Sequence, residues 1–297
     1  MNNTLAENII HKRAQKYINL KKFNKKSKTN LIYEFNISST EQKKLENECF
    51  KFINDNFKKH KFNVTKKSKK YLLNKLDALH TYTHNGVLKP KKETIKSYKK
   101  ILVLIIKFIE KIFPNDNVKS LTFPNLRIIR ENKKLIDHKL SNKDTRILHA
   151  DIWAGQDGSG IFNIGVYGDF ENSSIKYYDL LKFKKNYLKK HKKFENASKN
   201  IVQKKYFTKL ELGKAVYFDM IIPHHTFTKK NGKNRISLDF CVDLEKKRSQ
   251  NNNFGYINLK NLKRNLSYSK IDCKTSILDA KKREYMFNDG IFFKRIS

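Results

Sequence analysis

The chain has 297 residues, of which 65 are Lys or Arg and 28 are Asp or Glu, so its formal net charge is +37. Its 10 glycines, 4 prolines and 3 cysteines exclude a collagen-like chain and a disulfide scaffold. Aromatic residues make up 12% of the chain. This share argues against a disordered basic tail, because such tails lack the apolar groups that offset chain entropy. The length suits one large domain or two smaller ones with a sizeable core.

A positive charge of this size attracts phosphate backbones over a long range, so nucleic acid is one candidate partner. The basic residues are nearly all Lys, however, and Asn is also abundant. Lys and Asn have A/T-rich codons, so an A/T-rich genome would produce the same surplus without selection for a partner. Nucleic-acid-binding sites usually favour Arg, whose planar guanidinium matches phosphate and guanine. The excess of Lys over Arg favours an effect of genome composition, but it leaves contact with a polyanion possible as an alternative.

Cysteine usage and apolar runs indicate the compartment. Cys49, Cys241 and Cys273 are far apart and form no CxxC pair, which predicts reduced thiols and no zinc ribbon. The N-terminus lacks the apolar segment of a secretory signal. The longest apolar run, residues 101–106, is far shorter than the roughly twenty residues that a membrane span needs. We therefore predict a cytoplasmic protein without a membrane span.

The first part of the chain, residues 1–119, is predicted to be a helical portion that packs on the rest. Residues 1–38 are Lys-rich and favour a short helix followed by an extended segment. Helices are then predicted at three places: from residue 39, over residues 66–80 and over residues 92–113. Ser39 or Thr40 would cap the first of these, whose apolar residues recur at helical spacing.

The pattern changes after residue 124, where segments rich in β-branched and aromatic residues predict strands. These segments are residues 126–130, 146–153, 161–167, 213–222 and 235–242. Residues 171–208 are Lys-rich and are predicted to form a long insertion or loop with local helix. We predict a mainly β protein with α-helices, whose antiparallel core spans residues 120–245. Residues 246–297 form a predicted C-terminal extension, in which an apolar segment at residues 291–293 packs back on the core.

Candidate metal ligands lie in the β-rich half. His149 and Asp151 are two positions apart, and side chains at positions i and i+2 of a strand point to the same face. His224 or His225 could supply a third ligand. Two histidines and one carboxylate form the facial triad of non-haem Fe(II) oxygenases, which leaves coordination positions open. The lack of cysteine near these residues argues against a tetrahedral zinc site.

A candidate anion-binding residue follows in the next predicted strand. Arg235 lies eleven positions after His224, and Arg is the natural bidentate partner of a carboxylate. It would fit the distal carboxylate of 2-oxoglutarate, whose oxo-acid end would chelate iron and leave one position for dioxygen. Ser237 faces the same way as Arg235 and could donate to the same carboxylate. We therefore predict that Arg235 and Ser237 bind the cosubstrate.

The segments ILHADIWAGQ, GKAVYFDMIIPHHTF and RISLDF together resemble the phytanoyl-CoA-dioxygenase-like branch of the Fe(II)/2-oxoglutarate oxygenases. Within it, they resemble most the bacterial members found in carbohydrate-biosynthesis clusters, including hydroxylases of the sugar acid Kdo. The family's HxD motif matches residues 149–151. Its distal histidine commonly stands eleven residues after a Gly and eleven before the cosubstrate Arg. His224 fits both spacings, between Gly213 and Arg235, which favours it over His225.

The resemblance covers about residues 120–245, and it implies a double-stranded β-helix (jelly-roll) core with helices packed outside. It also implies an Fe(II)- and 2-oxoglutarate-dependent dioxygenase in which His149, Asp151 and His224 bind iron. Such an enzyme would use dioxygen to hydroxylate a carbohydrate or other polar small molecule, with succinate and CO2 as co-products. The basic surface would suit an anionic or sugar-like substrate. The alternative from another class is a non-catalytic basic protein that binds RNA or another polyanion.

Several of these residues also have a purely structural interpretation. His149 could be a buried core histidine with no ligand. Arg127, on a predicted core strand, could reach an acidic ligand or lie on the surface. Trp153 is predicted to be buried near the site rather than to stack on substrate. Asp219 and Asp239 lie in β segments and could pair with basic neighbours, without a catalytic role.

Overall fold

Antiparallel sheets and helices combine into a mixed α/β fold in the computed structural model of the chain. The described part consists of residues 3–59, 68–79, 82, 86–88, 90, 94–113, 117–130, 145–155, 158–245, 256–260, 284–287 and 291–294. Its α-helices are α1 (Asn3–Gln15), α2 (Ser39–Lys59), α3 (Lys69–Asn74), α4 (Ile95–Ile112) and α5 (Phe194–Ser198). Its strands are β1 (Lys25–Lys26), β2 (Ile32–Asn36), β3 (Val87–Leu88), β4 (Ser120–Thr122), β5 (Asn125–Ile129), β6 (Gly160–Gly168), β7 (Ser173–Phe183), β8 (Ile201–Lys209), β9 (Lys214–Asp219), β10 (His224–Thr228), β11 (Arg235–Asp243), β12 (Tyr256–Asn258), β13 (Glu284–Phe287) and β14 (Ile291–Lys294).

The larger sheet has nine strands in the order β1-β2-β9-β6-β11-β4-β12, with β5 beside β11 and β3 beside β5. Its central strand β11 pairs with β6 along one edge and with β5 and β4 along the other. The extended segment predicted within residues 1–38 is β2, which pairs with β9. The N-terminal portion therefore supplies a strand of the sheet as well as helices.

The two faces of this larger sheet carry different side chains, because neighbouring residues of a strand point to opposite faces. One face of β11 is apolar and consists of Ile236, Leu238 and Phe240. The opposite face of the same strand is polar and consists of Arg235, Ser237 and Asp239. The apolar face packs against α2 and α4. There the Phe162 ring of β6 lies 5.9 Å from the rings of both Phe108 and Phe113.

Helix α2 begins where its sequence predicts, but its cap is one residue earlier than expected. The Ser38 hydroxyl accepts a hydrogen bond from the Glu41 N–H at 3.3 Å and donates to the Glu41 carboxylate at 2.8 Å. This Ser-x-x-Glu pair, rather than Ser39 or Thr40, satisfies the first turn. The apolar residues that predicted the helix are all buried: Leu45, Cys49, Phe50 and Ile53.

The second sheet has three strands in the order β10-β7-β8. Since β7 and most of β8 lie within residues 171–208, the prediction of a long insertion or loop there is wrong, although α5 matches the predicted local helix. Lysines dominate the composition of this segment and hid the buried residues that define the strand: Ile175, Tyr177 and Leu180. Lysines on an edge strand stay in water without breaking its pairing, and they discourage association with other strands.

The C-terminal extension adds strands at the margin of the structure. β12 pairs with β4 of the larger sheet, and β13 pairs with β14. The apolar segment of residues 291–293 lies in β14, while its predicted packing on the core concerns side chains outside the described residues. Residues 246–255, predicted as a polar linker, also lie outside them. Among the described helices, none is both long and apolar enough to cross a bilayer.

Candidate metal centre

Two histidines from distant parts of the chain face each other across a short antiparallel bridge. The backbone N–H of His149 donates to the His224 carbonyl at 2.9 Å, and the His224 N–H donates to the His149 carbonyl at 2.8 Å. The two ring centroids lie 4.3 Å apart. His224 is the first residue of β10, so the small sheet fixes one histidine and the bridge fixes the other.

Asp151 reaches the same place from a bend in the chain. The prediction of a strand over residues 146–153 is wrong, because His149 forms only an isolated bridge and Asp151–Ala154 form a 3-10 helix. The helix ends at Gly155, whose φ of 80° lies in the left-handed region that glycine adopts most easily. The HxD spacing therefore brings its two side chains together through a turn rather than through strand alternation.

This 3-10 helix is held in place on both sides. The Ile152 N–H donates to the Met220 carbonyl at 3.1 Å, which ties the helix to the turn before β10. Trp153 is fully buried, and its indole N–H donates to the Tyr187 carbonyl at 2.7 Å. The prediction that Trp153 is buried near the site is thus confirmed.

The side chains of His149, Asp151 and His224 form one cluster, in which a ligand atom from each residue lies within 4.8 Å of the others. Nε2 of His224 lies 3.4 Å from Oδ2 of Asp151. Imidazole and carboxylate donors suit Fe(II), and three protein ligands leave other coordination positions open. The geometry can therefore hold a metal ion that still has room for further ligands.

Backbone carbonyls orient both imidazoles. Nδ1 of His149 lies 2.8 Å from the Ile147 carbonyl, and Nδ1 of His224 lies 3.0 Å from the Ile222 carbonyl. Since a carbonyl can only accept, each Nδ1 carries the proton, and each Nε2 keeps the lone pair that a metal needs. Hydrogen bonds of this kind fix the ring orientation of metal-binding histidines.

Burial controls the protonation of the cluster. Burial, and then the nearby His224, lower the pKa of His149 to about 3. Burial also lowers the pKa of His224 to about 4. At neutral pH both rings are therefore uncharged, and the approach of His224 to Asp151 is not an ion pair. Burial raises the pKa of Asp151, and a bound cation would offset the cost of burying that carboxylate.

Aromatic rings enclose the two histidines. The Phe194 ring stacks on His149 with centroids 4.8 Å apart and an interplanar angle of 8°. The Phe218 ring lies 4.9 Å from that of His224. Our sequence analysis did not identify Phe194, which begins α5 inside the Lys-rich segment. A lone apolar residue at the start of a short helix was the available signal.

Arg235 is fully buried, and none of its three guanidinium nitrogens has a hydrogen-bond partner among the described residues. Its guanidinium carbon lies 5.7 Å from the centre of the Phe170 ring. Burial, and then the charge of Arg127, lower the pKa of Arg235 to about 10. The group therefore remains cationic at neutral pH. A buried cation with unmet donors is suited to an anionic ligand.

Tyr177 lies near both the metal cluster and Arg235. It stands opposite His224 in the pairing of β7 with β10, and the two rings are 6.1 Å apart. The Asn163 amide of the larger sheet donates to its hydroxyl at 2.7 Å. Burial raises the pKa of Tyr177. Asn163 stands opposite Asp239 on the face that carries Arg235 and the buried Ser237, so Tyr177 links the metal cluster to this polar face of the larger sheet.

Both β-segment aspartates pair with arginines, as predicted. Arg127 donates from Nε and Nη2 to the two carboxylate oxygens of Asp239, at 3.2 and 3.1 Å. Arg13 of α1 donates to Asp219 at 2.7 Å. Arg127 therefore lies on the polar face of the larger sheet and already has a carboxylate partner, unlike Arg235.

His225 lies on the opposite side of β10 from His224. Its ring stacks on Tyr178 with centroids 5.6 Å apart. Burial, and then the charges of Lys176 and Lys204, lower the pKa of His225. The structure thus places His224 in the cluster and His225 outside it, as the spacing of the motif favoured.

Comparison with known proteins finds no family model that matches the chain and no matching curated protein. Among solved structures, one that matches is the non-heme alpha ketoglutarate dependent carbocyclase SnoK from nogalamycin biosynthesis. It is 8% identical with a TM-score of 0.41, over 78% of this chain and 83% of that chain. The epimerase SnoN from the same biosynthesis is 9% identical with a TM-score of 0.39, over 78% and 82%. AviO1 from Streptomyces viridochromogenes Tue57 is 10% identical with a TM-score of 0.37, over 71% and 89%.

Proposed function

We propose that this chain is a non-haem Fe(II)- and 2-oxoglutarate-dependent oxygenase. The observation that carries the proposal is the pairing of two features in one buried polar region. One is the cluster of two neutral histidines and a carboxylate. The other is Arg235, a buried guanidinium whose three nitrogens have no hydrogen-bond partner among the described residues. An open metal site beside an unpaired buried cation suits a cosubstrate that binds metal at one end and presents a carboxylate at the other.

The donor set fits Fe(II). His149 and His224 each present Nε2, and Asp151 presents a carboxylate oxygen. The site favours an occupying cation, because both histidines are buried and the partly buried Asp151 has no charged hydrogen-bond partner of its own among the described residues. The cluster contains no cysteine, as expected for iron with oxygen and nitrogen ligands rather than for a structural zinc site.

The polar face of β11 fits the distal carboxylate of 2-oxoglutarate. Arg235 offers two parallel N–H donors in the geometry that a carboxylate accepts. Ser237 is buried two positions away on the same face and can add a hydroxyl donor. Binding of the carboxylate would recover the free energy that the unpaired guanidinium now costs.

When bound, iron, 2-oxoglutarate and dioxygen supply the oxidation of a C–H bond, with succinate and CO2 as co-products. The chain supplies orientation and shielding. The carbonyls of Ile147 and Ile222 hold the imidazoles with Nε2 directed at the metal. The rings of Phe194 and Phe218 cover the histidines and keep water from them. Arg235 holds the cosubstrate in a single orientation.

Within this class we place the chain in the phytanoyl-CoA-dioxygenase-like branch, with a jelly-roll core and a resemblance to Kdo hydroxylases. The spacing of Gly213, His224 and Arg235 supports this branch. Two antiparallel sheets that both contribute residues to one polar region support the jelly-roll core. The basic surface supports an anionic substrate, while a sugar-like small molecule and hydroxylation as the reaction rest on the resemblance.

Anaerobic titration with Fe(II) and 2-oxoglutarate tests the proposal. The wild-type protein should develop the weak visible charge-transfer band of the chelate and release succinate when oxygen is admitted. His224→Ala should abolish both signals. His225→Ala is the matched control, since it removes the neighbouring imidazole from the other side of β10, and it should retain both. Equal losses in the two variants, or no band in the wild type, would contradict the proposal.

Arg235→Met separates the cosubstrate from the metal. This variant should still bind Fe(II), because the three ligands are untouched, but should no longer bind 2-oxoglutarate at concentrations that saturate the wild type. Calorimetric titration of each component measures the two affinities. Unchanged 2-oxoglutarate affinity in Arg235→Met would remove Arg235 from the proposed site.

A further inference from the structure

We propose that the outer face of the three-stranded sheet binds single-stranded nucleic acid. This outer face is formed by side chains on the opposite side of the sheet from His224: Lys176, Tyr178, Lys204, Tyr206, His225 and Phe227. The register places them together, because His225 stands opposite Lys176 and Tyr178 stands opposite Tyr206. The site of the proposed oxygenase lies on the other side of the same strands.

The charged residues of this sheet are nearly all positive. β7, β8 and β10 together carry five lysines and a single carboxylate, Asp179, which is buried and accepts hydrogen bonds from Thr29. Lys209 is paired with Glu171 at 2.5 Å. Two of the other lysines, Lys176 and Lys204, lie on the outer face, and neither has a carboxylate partner among the described residues. A strand face with unneutralised lysines attracts a phosphate backbone.

On the helical side of the molecule, some lysines have carboxylate partners, although α4 carries five lysines and one glutamate, the same ratio as this sheet. Lys69 of α3 pairs with Glu46, and Lys111 of α4 pairs with Glu41. Codon composition alone would add lysines without regard to where carboxylates lie. What favours a polyanion contact at the outer face is the combination of its lysines with aromatic rings on the same side of the sheet.

Aromatic rings alternate with these lysines. The rings of Tyr178 and Tyr206 lie 6.0 Å apart, and the Tyr206 side chain is 51% exposed. The ammonium of Lys204 lies 5.5 Å from the centre of the Tyr178 ring, and that of Lys176 lies 4.7 Å from the centre of the Phe227 ring. Proteins that bind single strands combine these two elements, since bases stack on the rings while ammonium groups contact the phosphates.

The combination of lysines and aromatic rings on the outer face favours single-stranded over double-stranded nucleic acid. A duplex hides the faces of its bases, so it could use only the lysines, whereas a single strand can also stack on the exposed Tyr206. Lysine is a point charge without the planar fork that recognises guanine, so the contacts should be to phosphate and independent of sequence. The occupant that best fits the outer face is therefore an unstructured single strand.

Fluorescence anisotropy with a labelled oligo(dT) of about 20 nucleotides, longer than a typical binding site, tests the proposal. The test variants are Tyr206→Ala and the double variant Lys176→Gln/Lys204→Gln. Matched controls make the same changes on helices: Tyr71→Ala, whose side chain is 40% exposed on α3, and the double variant Lys51→Gln/Lys107→Gln. All variants should keep the far-ultraviolet spectrum of the wild type.

Each outer-face variant should raise Kd by about fivefold or more, and each helix control by less than about twofold. The slope of log Kd against log salt should fall by about 1.4 in the outer-face lysine variant, at about 0.7 for each lost phosphate contact. Equal weakening by test and control variants would overturn the proposal, because binding would then follow total charge. Equal affinity for heparin or a DNA duplex, or an unchanged Kd in Tyr206→Ala, would also overturn it. His149→Ala should leave Kd unchanged, so the outcome does not depend on the oxygenase proposal.

Discussion

The two faces of the larger sheet are both buried, yet they differ in whether protein contacts satisfy their side chains. On the helical face, Phe162 meets the rings of Phe108 and Phe113, so protein alone fills the space. On the opposite face, Arg235 is just as buried but has no hydrogen-bond partner among the described residues. The same strands thus serve packing on one side and leave unmet polar groups on the other.

This contrast distinguishes the face of the sheet that stabilises the fold from the face that indicates a ligand. Apolar contacts of the helical face stabilise the fold without any ligand. Buried polar groups without partners lower the stability of the ligand-free protein, and they persist in a native structure only with a compensating role. The unmet donors of Arg235 are therefore a better guide to a ligand than its sequence position.

The largest effect should come from the helical face. Phe162→Ala should lower the free energy of unfolding by about 3–5 kcal/mol, because it removes a fully buried ring and leaves a cavity. Urea denaturation measures this loss. Tyr206→Ala removes an exposed ring from the other sheet and serves as the control, with an expected change of less than about 1 kcal/mol. Similar losses in the two variants would contradict the assignment of Phe162 to the core.

On the polar face, removing the unmet charge should have the opposite sign. We expect Arg235→Met to raise the free energy of unfolding of the ligand-free protein by about 1–3 kcal/mol, since an unpaired buried charge is lost. Arg127→Met, on the same face, should lower it, because the carboxylate of Asp239 loses its bidentate partner. If Arg235→Met destabilises the protein as Arg127→Met does, the guanidinium has a structural role instead.

A smaller effect is expected at the ring that covers the metal cluster. Phe194→Ala should weaken Fe(II) binding by about tenfold, because the stacked ring orients His149 and excludes water from it. Phe194→Leu keeps apolar cover without the stack and should recover part of the affinity. Anaerobic calorimetry provides both values. An unchanged affinity in Phe194→Ala would limit Phe194 to a packing role.

The smallest effect concerns Glu34, where the two sheets meet. Burial opposes its ionisation, but hydrogen bonds from Thr208 and Lys214 prevail and lower the pKa of Glu34 below 4.5. The ionised carboxylate therefore adds stability above pH 4.5, which is lost as the pH falls through the lowered pKa. Glu34→Gln should flatten the acid limb of the stability profile by under about 1 kcal/mol. A steeper limb in thermal unfolding from pH 3 to 6 would refute this.

How much of this the sequence could predict depends on whether a feature is local. The spacing of His149, Asp151, His224 and Arg235 identified residues that the structure does bring together or bury, since each stands at a definite point of a strand or turn. The backbone conformation predicted for the HxD pair was wrong, because Asp151 lies in a 3-10 helix rather than in the expected strand. A three-residue pattern constrains distance but does not distinguish the two backbone paths.

Contacts between distant segments could not be predicted in the same way. Phe194 stacks on His149 only because β7 and β8 bring the Lys-rich segment back over the bridge. The lysines of β8 concealed the strand, since an edge strand permits polar residues on both sides. Composition was misleading here because it averages over positions that face water and positions that face the core.

The bridge between His149 and His224 also has a topological consequence. The chain between these residues includes all of β6, β7, β8 and β9, which belong to both sheets. An ion bound to both imidazoles would close that stretch into a ring, as a crosslink does. Crosslinks between positions that are distant in the sequence remove the most conformational freedom from the unfolded chain. Metal loading should therefore stabilise the protein against global unfolding. A chelator that removes the ion would open the ring and abolish this stabilisation.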